Sequence, residues 1–263
     1  MPIYSEARWR DEGGSAIWLH YCHASSLNIY LRVRNSVKTD CHIFHSTRVG
    51  CYTCTMKVTV FGASGKVGRQ VVDLLVADNH EVVAFIHTHN PFADYPDVAI
   101  VSGSITDDVA VAKAVHGSQA VISCLGSWGT ATKDIVSTGT RQIIAAMERE
   151  SVSRIITVSG AGAFYNKDQP TALDRLTHRF LGIVAAPILR DGEEHLAALQ
   201  VSGLHWTCLR SPVMTMSKRT AYRLSSKLPT LLASVPRAAV ARALIDQLND
   251  IQHFSQAPVI YRK

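Results

Sequence analysis

No stretch of this 263-residue chain is long and apolar enough to cross a bilayer. Its mainly apolar runs, such as Val71 to Ala77 and Ala120 to Leu125, fall far short of the roughly 20 residues a spanning helix needs. A cleavable export signal is also missing: Glu6, Asp11 and Glu12 interrupt the N-terminus, and no apolar core of about 7 to 15 residues follows. The expectation is a cytoplasmic protein with no membrane partner. Cysteine is sparse, six in all, and four of these (Cys22, Cys41, Cys51 and Cys54) fall before residue 55, which is not the layout of a disulfide framework. Cys124 and Cys208 sit in apolar contexts and read as buried thiols. Between His195 and Ile245 there is no Asp or Glu, although Arg210, Lys218, Arg219, Arg223, Lys227, Arg237 and Arg242 are all present. That stretch reads as a solvated basic face, with an electropositive wall toward an anionic ligand as the alternative. The net charge of +6 comes without a helix-turn-helix or RNA-binding signature, so no nucleic-acid partner is expected.

What is present is enough apolar residue, 47% of the chain, to bury one substantial core. Residues 1 to 55 show no sustained period of 2 or 3.6, and clusters such as Ile17-Trp18-Leu19 are broken by polar residues. They predict an N-terminal extension without an ordered fold, so that folding, and with it the natural start of the chain, is expected at Met56. From there β-type and helical segments alternate, which is the pattern of a parallel sheet with crossover helices. Strands are predicted at Lys57 to Phe61, His80 to Ile86, Val98 to Val101, Ala120 to Leu125, Arg154 to Val158 and Trp206 to Leu209. Helices are predicted at about Lys66 to Asp78, Asp107 to Val115, Lys133 to Glu150, Leu189 to Val201 and Arg237 to Asn249. The fold class is α/β, a Rossmann-type doubly wound parallel sheet, in one domain over 56 to 263 with a small substrate region near its C-terminal end.

The first strand ends in Gly62-Ala63-Ser64-Gly65-Lys66-Val67-Gly68, and a helix follows. In that context glycines at this spacing permit a tight turn, close approach of a diphosphate to the backbone, and close packing of helix on strand. The helix N-terminus adds free N–H groups and partial positive charge, so a dinucleotide is expected there. NAD sites place Asp or Glu about 20 residues further on, at the end of the second strand. Here that position reads His87-Thr88-His89-Asn90. Without an acid a 2′-phosphate is tolerated, and His87 or His89 can donate to it, which points to NADP(H) with NAD(H) as the alternative.

With these residues in view the chain resembles the atypical short-chain dehydrogenase/reductase superfamily, in the group that includes NmrA-like proteins and biliverdin reductase B. The resemblance spans residues 56 to about 250. It rests on the glycine loop, on Val101-Ser102-Gly103-Ser104-Ile105-Thr106-Asp107, on Ala120 to Gly126, on Arg154 to Ser159 and on Ser202 to Pro212. It implies that Ser64, Lys66 and Val67 contact phosphates, that His87 takes the place of a 2′-phosphate-binding Arg, that Ser104 stands at an adenine or ribose contact with Ile105 beside it as a further cofactor-binding residue, and that Leu125 and Gly126 line the nicotinamide side. The chain departs from the group at Ser104, where Asp is common, and at His87.

Short-chain dehydrogenases usually carry Tyr-x-x-x-Lys, but here Tyr165 is followed by Gln169 and Tyr222 by Ser226. Ser159, at the end of a strand, is the candidate to hydrogen-bond a substrate, and Tyr165 the candidate proton donor. His178, Glu194 and His195 read as helix-surface residues. Cys41-His42, His45 and Cys51-x-x-Cys54 have a chelate spacing, but no turn or strand pattern surrounds them and no metal is expected. The function expected is an NAD(P)H-dependent oxidoreductase acting on a small organic acceptor such as a quinone, flavin or carbonyl compound. A non-catalytic NADP(H) sensor is the alternative. A monomer or homodimer is expected.

Overall fold

The computed structural model describes residues 55–127, 133–230 and 232–263 in full, and four earlier strands as backbone. Those four belong to one of two compact units. β1 (Tyr4–Arg10), β2 (Ala16–Ala24), β3 (Ser26–Val33) and β4 (Ser36–Lys38) pair in sequence order as an antiparallel sheet. The register runs from Tyr4 opposite Cys22 to Arg10 opposite Ala16, and then from Trp18 opposite Arg32. Patterning predicts no element here, yet the backbone pairs. A hairpin ladder is made by main-chain groups, and it does not require a period-2 apolar face.

The other unit comprises residues 56–248 and 253–263. Its eight-stranded sheet runs, edge to edge, β12 (Tyr222–Ser225), β14 (Val259–Arg262), β10 (His205–Ser211), β9 (Arg154–Gly160), β8 (Ala120–Ser123), β5 (Lys57–Phe61), β6 (Glu81–Ile86) and β7 (Val98–Ser102). All neighbours are parallel except β12 and β14. Read from β7 to β10, this is the 3-2-1-4-5-6 order of a doubly wound dinucleotide fold, in which the sheet reverses direction of growth between β5 and β8.

Alternation along the strands divides the core into two faces. Val58, Val60, Ala120, Ile122, Ile156 and Val158 pack with α1 (Gly68–Ala77) and α6 (Arg237–Asp246). Val121, Ile155, Trp206 and Cys208 face the other way, against α2 (Asp108–Val115), α3 (Ile135–Arg149) and α5 (Ala186–Val201). Both faces are covered, as a parallel sheet requires.

The predicted elements recur with ends shifted by a few residues. Five additional ones are not predicted, and the four strands among them are too short to show a period. These are α4 (Ala172–Val184), the short strands β11 (Val213–Thr215) and β13 (Ser234–Pro236), which pair with each other, and the edge strands β12 and β14. The start of α4 nonetheless has a local signature: the Thr171 hydroxyl accepts from the Asp174 N–H, and the Asp174 carboxylate accepts from the Thr171 N–H at 2.8 Å.

The basic stretch proves to be only partly a solvated face. Arg210 is almost completely buried and clasps Asp168 through both terminal nitrogens, at 2.5 and 2.7 Å, while also donating to the carbonyls of Ala257 and Ala163. Arg242 pairs with Asp246 and Asp78, and Arg223 lies 4.4 Å over the Tyr261 ring. The acids that neutralise these arginines come from other parts of the sequence, or from just beyond the stretch, so its local composition could not reveal them. Lys218, Arg219 and Lys227 are exposed, as expected.

Candidate dinucleotide site and acceptor cavity

The loop after β5 is shaped by its glycines. Gly62 has φ of +69°, and a Cβ there would lie 2.8 Å from the Cys124 carbonyl carbon, so only glycine lets the turn rest against the end of β8. A Cβ on Gly68 would approach the Gly62 carbonyl oxygen to 2.1 Å and the Ala63 Cα to 2.8 Å, the close helix-to-strand contact the spacing predicts. Within the turn the Gly65 N–H donates to the Gly62 carbonyl at 3.0 Å.

α1 opens without a side-chain cap. Among the described residues no group accepts from the N–H groups of Ser64, Lys66, Val67 or Gly68. Four donors at a helix start are therefore left for solvent or an anion. The Arg69 guanidinium donates to the Ser64 carbonyl and the Gln70 amide to the Lys66 carbonyl, which holds the loop from its outer side. The donor set and the glycine cradle fit a dinucleotide diphosphate.

The other predicted contacts gather at the same carboxyl edge. Phe61 is in register with Ser123, and Ser123 with Thr157, so β5, β8 and β9 end close together. Leu125 and Gly126 follow β8 directly, and Ile105 follows β7. A Cβ on Gly139 of α3 would stand 2.6 Å from the Leu125 Cδ1 and 2.9 Å from the Ile105 Cγ1, so this glycine makes room for both side chains. His87 is exposed just past the end of β6, with no acid among residues 87–90. The Ser104 hydroxyl is engaged with the Thr106 hydroxyl at 2.8 Å in a local turn. Ser159 is buried at the end of β9, and its hydroxyl has no partner among the described residues. A Cβ on Gly192 of α5 would meet it at 3.2 Å.

Tyr165 requires a correction. It is not at this edge as a free proton donor. Its ring is buried edge-on to Trp206, its hydroxyl donates to the Ser255 carbonyl at 2.8 Å, and its N–H donates to Asp168 at 2.8 Å. A hydroxyl committed to a backbone carbonyl is a structural tie between the loop after β9 and the C-terminal segment.

His195 departs from expectation as well. It is fully buried, with Nδ1 2.7 Å from the Thr140 hydroxyl, Nε2 3.0 Å from the Thr157 hydroxyl and the Cys208 thiol at 3.6 Å. Burial lowers its pKa to about 4, and Asp191 opposes the shift. Burial likewise pushes the Cys208 thiol up to about 11. His178 and Glu194 are nearer to expectation, the first 2.7 Å from Glu193 and stacked on Phe164, the second facing Arg141 at 3.8 Å.

One functional feature escaped the sequence altogether. Asp191, in the middle of α5, is a buried carboxylate that accepts from the Ser127 hydroxyl and from the N–H groups of Val136 and Ser137, the latter at 2.7 Å. It thus caps α3 from a different helix and pins the turn after Gly126. Its signal was the spacing Asp191, His195, Leu199, which puts all three on one helical face, but polar residues on such a face read as solvated. Beside Asp191 opens a cavity of about 280 Å³, lined also by Lys133, Asp134, Ala186, Pro187, Arg190 and Glu194. Asp191 forms its wall, and the next residue, Gly192, touches Ser159.

This geometry coincides with a match of residues 62–251 to a family described as NAD(P)H-binding. The chain belongs to that family. NAD(P)H is accordingly its cofactor class. Over 135 residues the chain is 30% identical to a 2-alkyl-3-oxoalkanoate reductase of Stenotrophomonas maltophilia, a match covering 49% of this chain and 38% of that enzyme. Its fold is similar to that of ChuY, an anaerobillin reductase from Escherichia coli O157:H7 (TM-score 0.65, 22% identity, 78% of this chain and 97% of the other). It is also similar to a Veillonella parvula short-chain dehydrogenase/reductase in complex with NADP (TM-score 0.63, 20% identity, 79% and 94%).

Among the described residues no helix is long and apolar enough to cross a membrane. No cluster of three His, Cys, Asp or Glu there could hold a metal ion. Cys41, His42, His45, Cys51 and Cys54 lie outside the described residues.

Proposed function

We propose that the protein is an NADPH-dependent reductase of a small organic acceptor bound in the cavity between the start of α3 and α5. The single observation behind this reading is the adjacency of the open glycine loop, the β8 and β9 ends and that cavity. The loop N–H groups of Ser64, Lys66, Val67 and Gly68 hold the diphosphate, Gly65 gives it access, and His87 donates to a 2′-phosphate. Ile105, with Ser104 beside it, borders the adenosine side, and Leu125 and Gly126 border the nicotinamide. The cofactor supplies the hydride. Ser159 donates its free hydroxyl to the acceptor oxygen, and Asp191, by holding Ser127 and the α3 start, fixes the floor on which the acceptor lies.

The commitment of the Tyr165 hydroxyl to Ser255 narrows the acceptor further. A simple ketone needs a positioned acid as hydride arrives, whereas a quinone or flavin disperses the negative charge and can take its proton from water. Quinone and flavin acceptors are therefore favoured over carbonyl compounds. The same observation supports a second reading, a non-catalytic NADP(H) sensor, because a sensor needs no proton donor at all.

NADPH oxidation with quinone, flavin and aldehyde acceptors, run beside titrations with oxidised and reduced cofactor, separates the two. Turnover with quinones that falls about tenfold in Ser159→Ala, the value of one hydrogen bond, supports the reductase. Tight cofactor binding with no oxidation by any acceptor class supports the sensor, and absence of NADPH binding overturns both.

A further inference from the structure

α4 has an unusual distribution of apolar side chains. In a helix of 13 residues none is buried. Five large apolar residues, Leu173, Leu176, Phe180, Ile183 and Val184, are between 53% and 77% exposed. Isolated exposed apolar residues are ordinary, but here four of the five, Leu173, Leu176, Phe180 and Ile183, follow one another at intervals of 3, 4 and 3 and so form one stripe along the helix. The opposite side is tethered to the rest of the unit: His178 pairs with Glu193 and stacks on Phe164, and Leu181 lies against Gly162. α4 is thus fixed in place with its apolar side outward.

We propose that this stripe is the contact by which two copies of the chain form a dimer, α4 lying antiparallel to its counterpart across a two-fold axis. The first argument is symmetry. Intervals of 3, 4 and 3 read the same in both directions, which is what a two-fold contact between identical helices requires, since each position must meet its mirror position. Leu173 of one copy then faces Ile183 of the other, and Leu176 faces Phe180. The same intervals are those of a helix-pairing seam, in which each apolar side chain enters the gap between two of its partner's.

The second argument is area. Five large side chains, each more than half exposed, present on the order of 500 Å² of apolar surface, at the upper end of what a lone protein leaves uncovered. A stable contact needs about 800 Å² from each partner. The polar residues that flank the stripe on the same helix supply the remainder. A membrane surface is a weaker fit, because α4 carries only Arg175 and Arg179 as cations and has Asp174 beside them.

The experiment is sedimentation velocity on the full chain over a range of concentrations, with Leu176→Glu, Phe180→Arg and an equimolar mixture of the two. The wild type is expected at twice the chain mass and each variant at the monomer mass. Because the substituted side chains are exposed, circular dichroism and NADPH binding should be unchanged in both. The mixture should recover a dimer, since the antiparallel register sets Glu against Arg on one side of the axis and leaves the native Leu and Phe on the other.

A wild type that is monomeric throughout overturns the proposal. Monomeric wild-type protein that floats with anionic vesicles overturns it in favour of a membrane surface. Dimers that persist in both single variants place the contact elsewhere and overturn it too, as does a mixture that stays monomeric, which refutes the antiparallel register.

Discussion

His195 makes the stability of this protein dependent on pH. Its imidazole is held neutral by burial, between two threonine hydroxyls and a thiol, and its pKa falls from 6.5 to about 4. The sign follows from where the proton can go. Above the unfolded value neither state binds it. As pH falls below about 6.5 the unfolded chain takes up a proton that the folded protein excludes, so stability declines until the folded protein is protonated as well. About 2.5 pH units at 1.36 kcal/mol each gives a loss of about 3 kcal/mol between pH 7 and 4, a large part of a typical domain's stability.

Carboxylates elsewhere also titrate over this interval, so the measurement is a difference. Urea unfolding of wild type and His195→Gln would be compared at pH 7, 6, 5 and 4. The glutamine keeps a donor and an acceptor for Thr140 and Thr157 but cannot be protonated. It is expected to cost stability at pH 7 and to narrow or lose that deficit by pH 4. Parallel stability curves for the two proteins would refute the reasoning, as would an NMR titration of the His195 ring with an ordinary midpoint.

Other substitutions probe the remaining features. Gly68→Ala should weaken NADPH binding by a hundredfold or more in a calorimetric titration, because its methyl group meets the Gly62 carbonyl and displaces the loop. Replacing His87 by Ala should bring the affinities for NADPH and NADH within a few-fold of each other, and His87→Arg should favour NADPH by about tenfold, since guanidinium holds a phosphate through two hydrogen bonds. Asp168→Ala strands the Arg210 charge in the core and is expected to destabilise by about 3 to 5 kcal/mol in denaturant unfolding. Tyr165→Phe should cost about 1 kcal/mol of stability for its lost bond to Ser255 while leaving turnover unchanged.

The sheet was legible in the sequence where burial on both faces leaves continuous apolar runs, as in Lys57 to Phe61 and Ala120 to Ser123. The glycine loop was legible because each glycine has a steric reason that spacing alone expresses. Less could be read beyond Ser159. β12 and β14 are four residues each, and β12 takes its partner from the far end of the chain. Polar residues there follow one rule: His195, which reads as a helix-surface residue, and Arg210, which reads as part of a solvated basic face, are buried with partners 38 and 42 residues distant in sequence, and Asp191, which no pattern singles out, has its partner 64 residues away. A local pattern has no access to such pairings, since the residue that satisfies a buried charge sits on another element. Tyr165 shows the same limit, its hydroxyl being claimed by a carbonyl 90 residues away.

The position of β14 has a consequence for how the molecule is held together. Val259 and Ile260 fill the gap between β10 and β12, and the Arg210 N–H and guanidinium reach across to the Pro258 and Ala257 carbonyls. The piece that closes the sheet thus follows every other strand of that sheet in chain order. Without β14, β10 presents a bare edge and Arg210 holds only part of its clasp, so residues 257–262 are needed to complete the core.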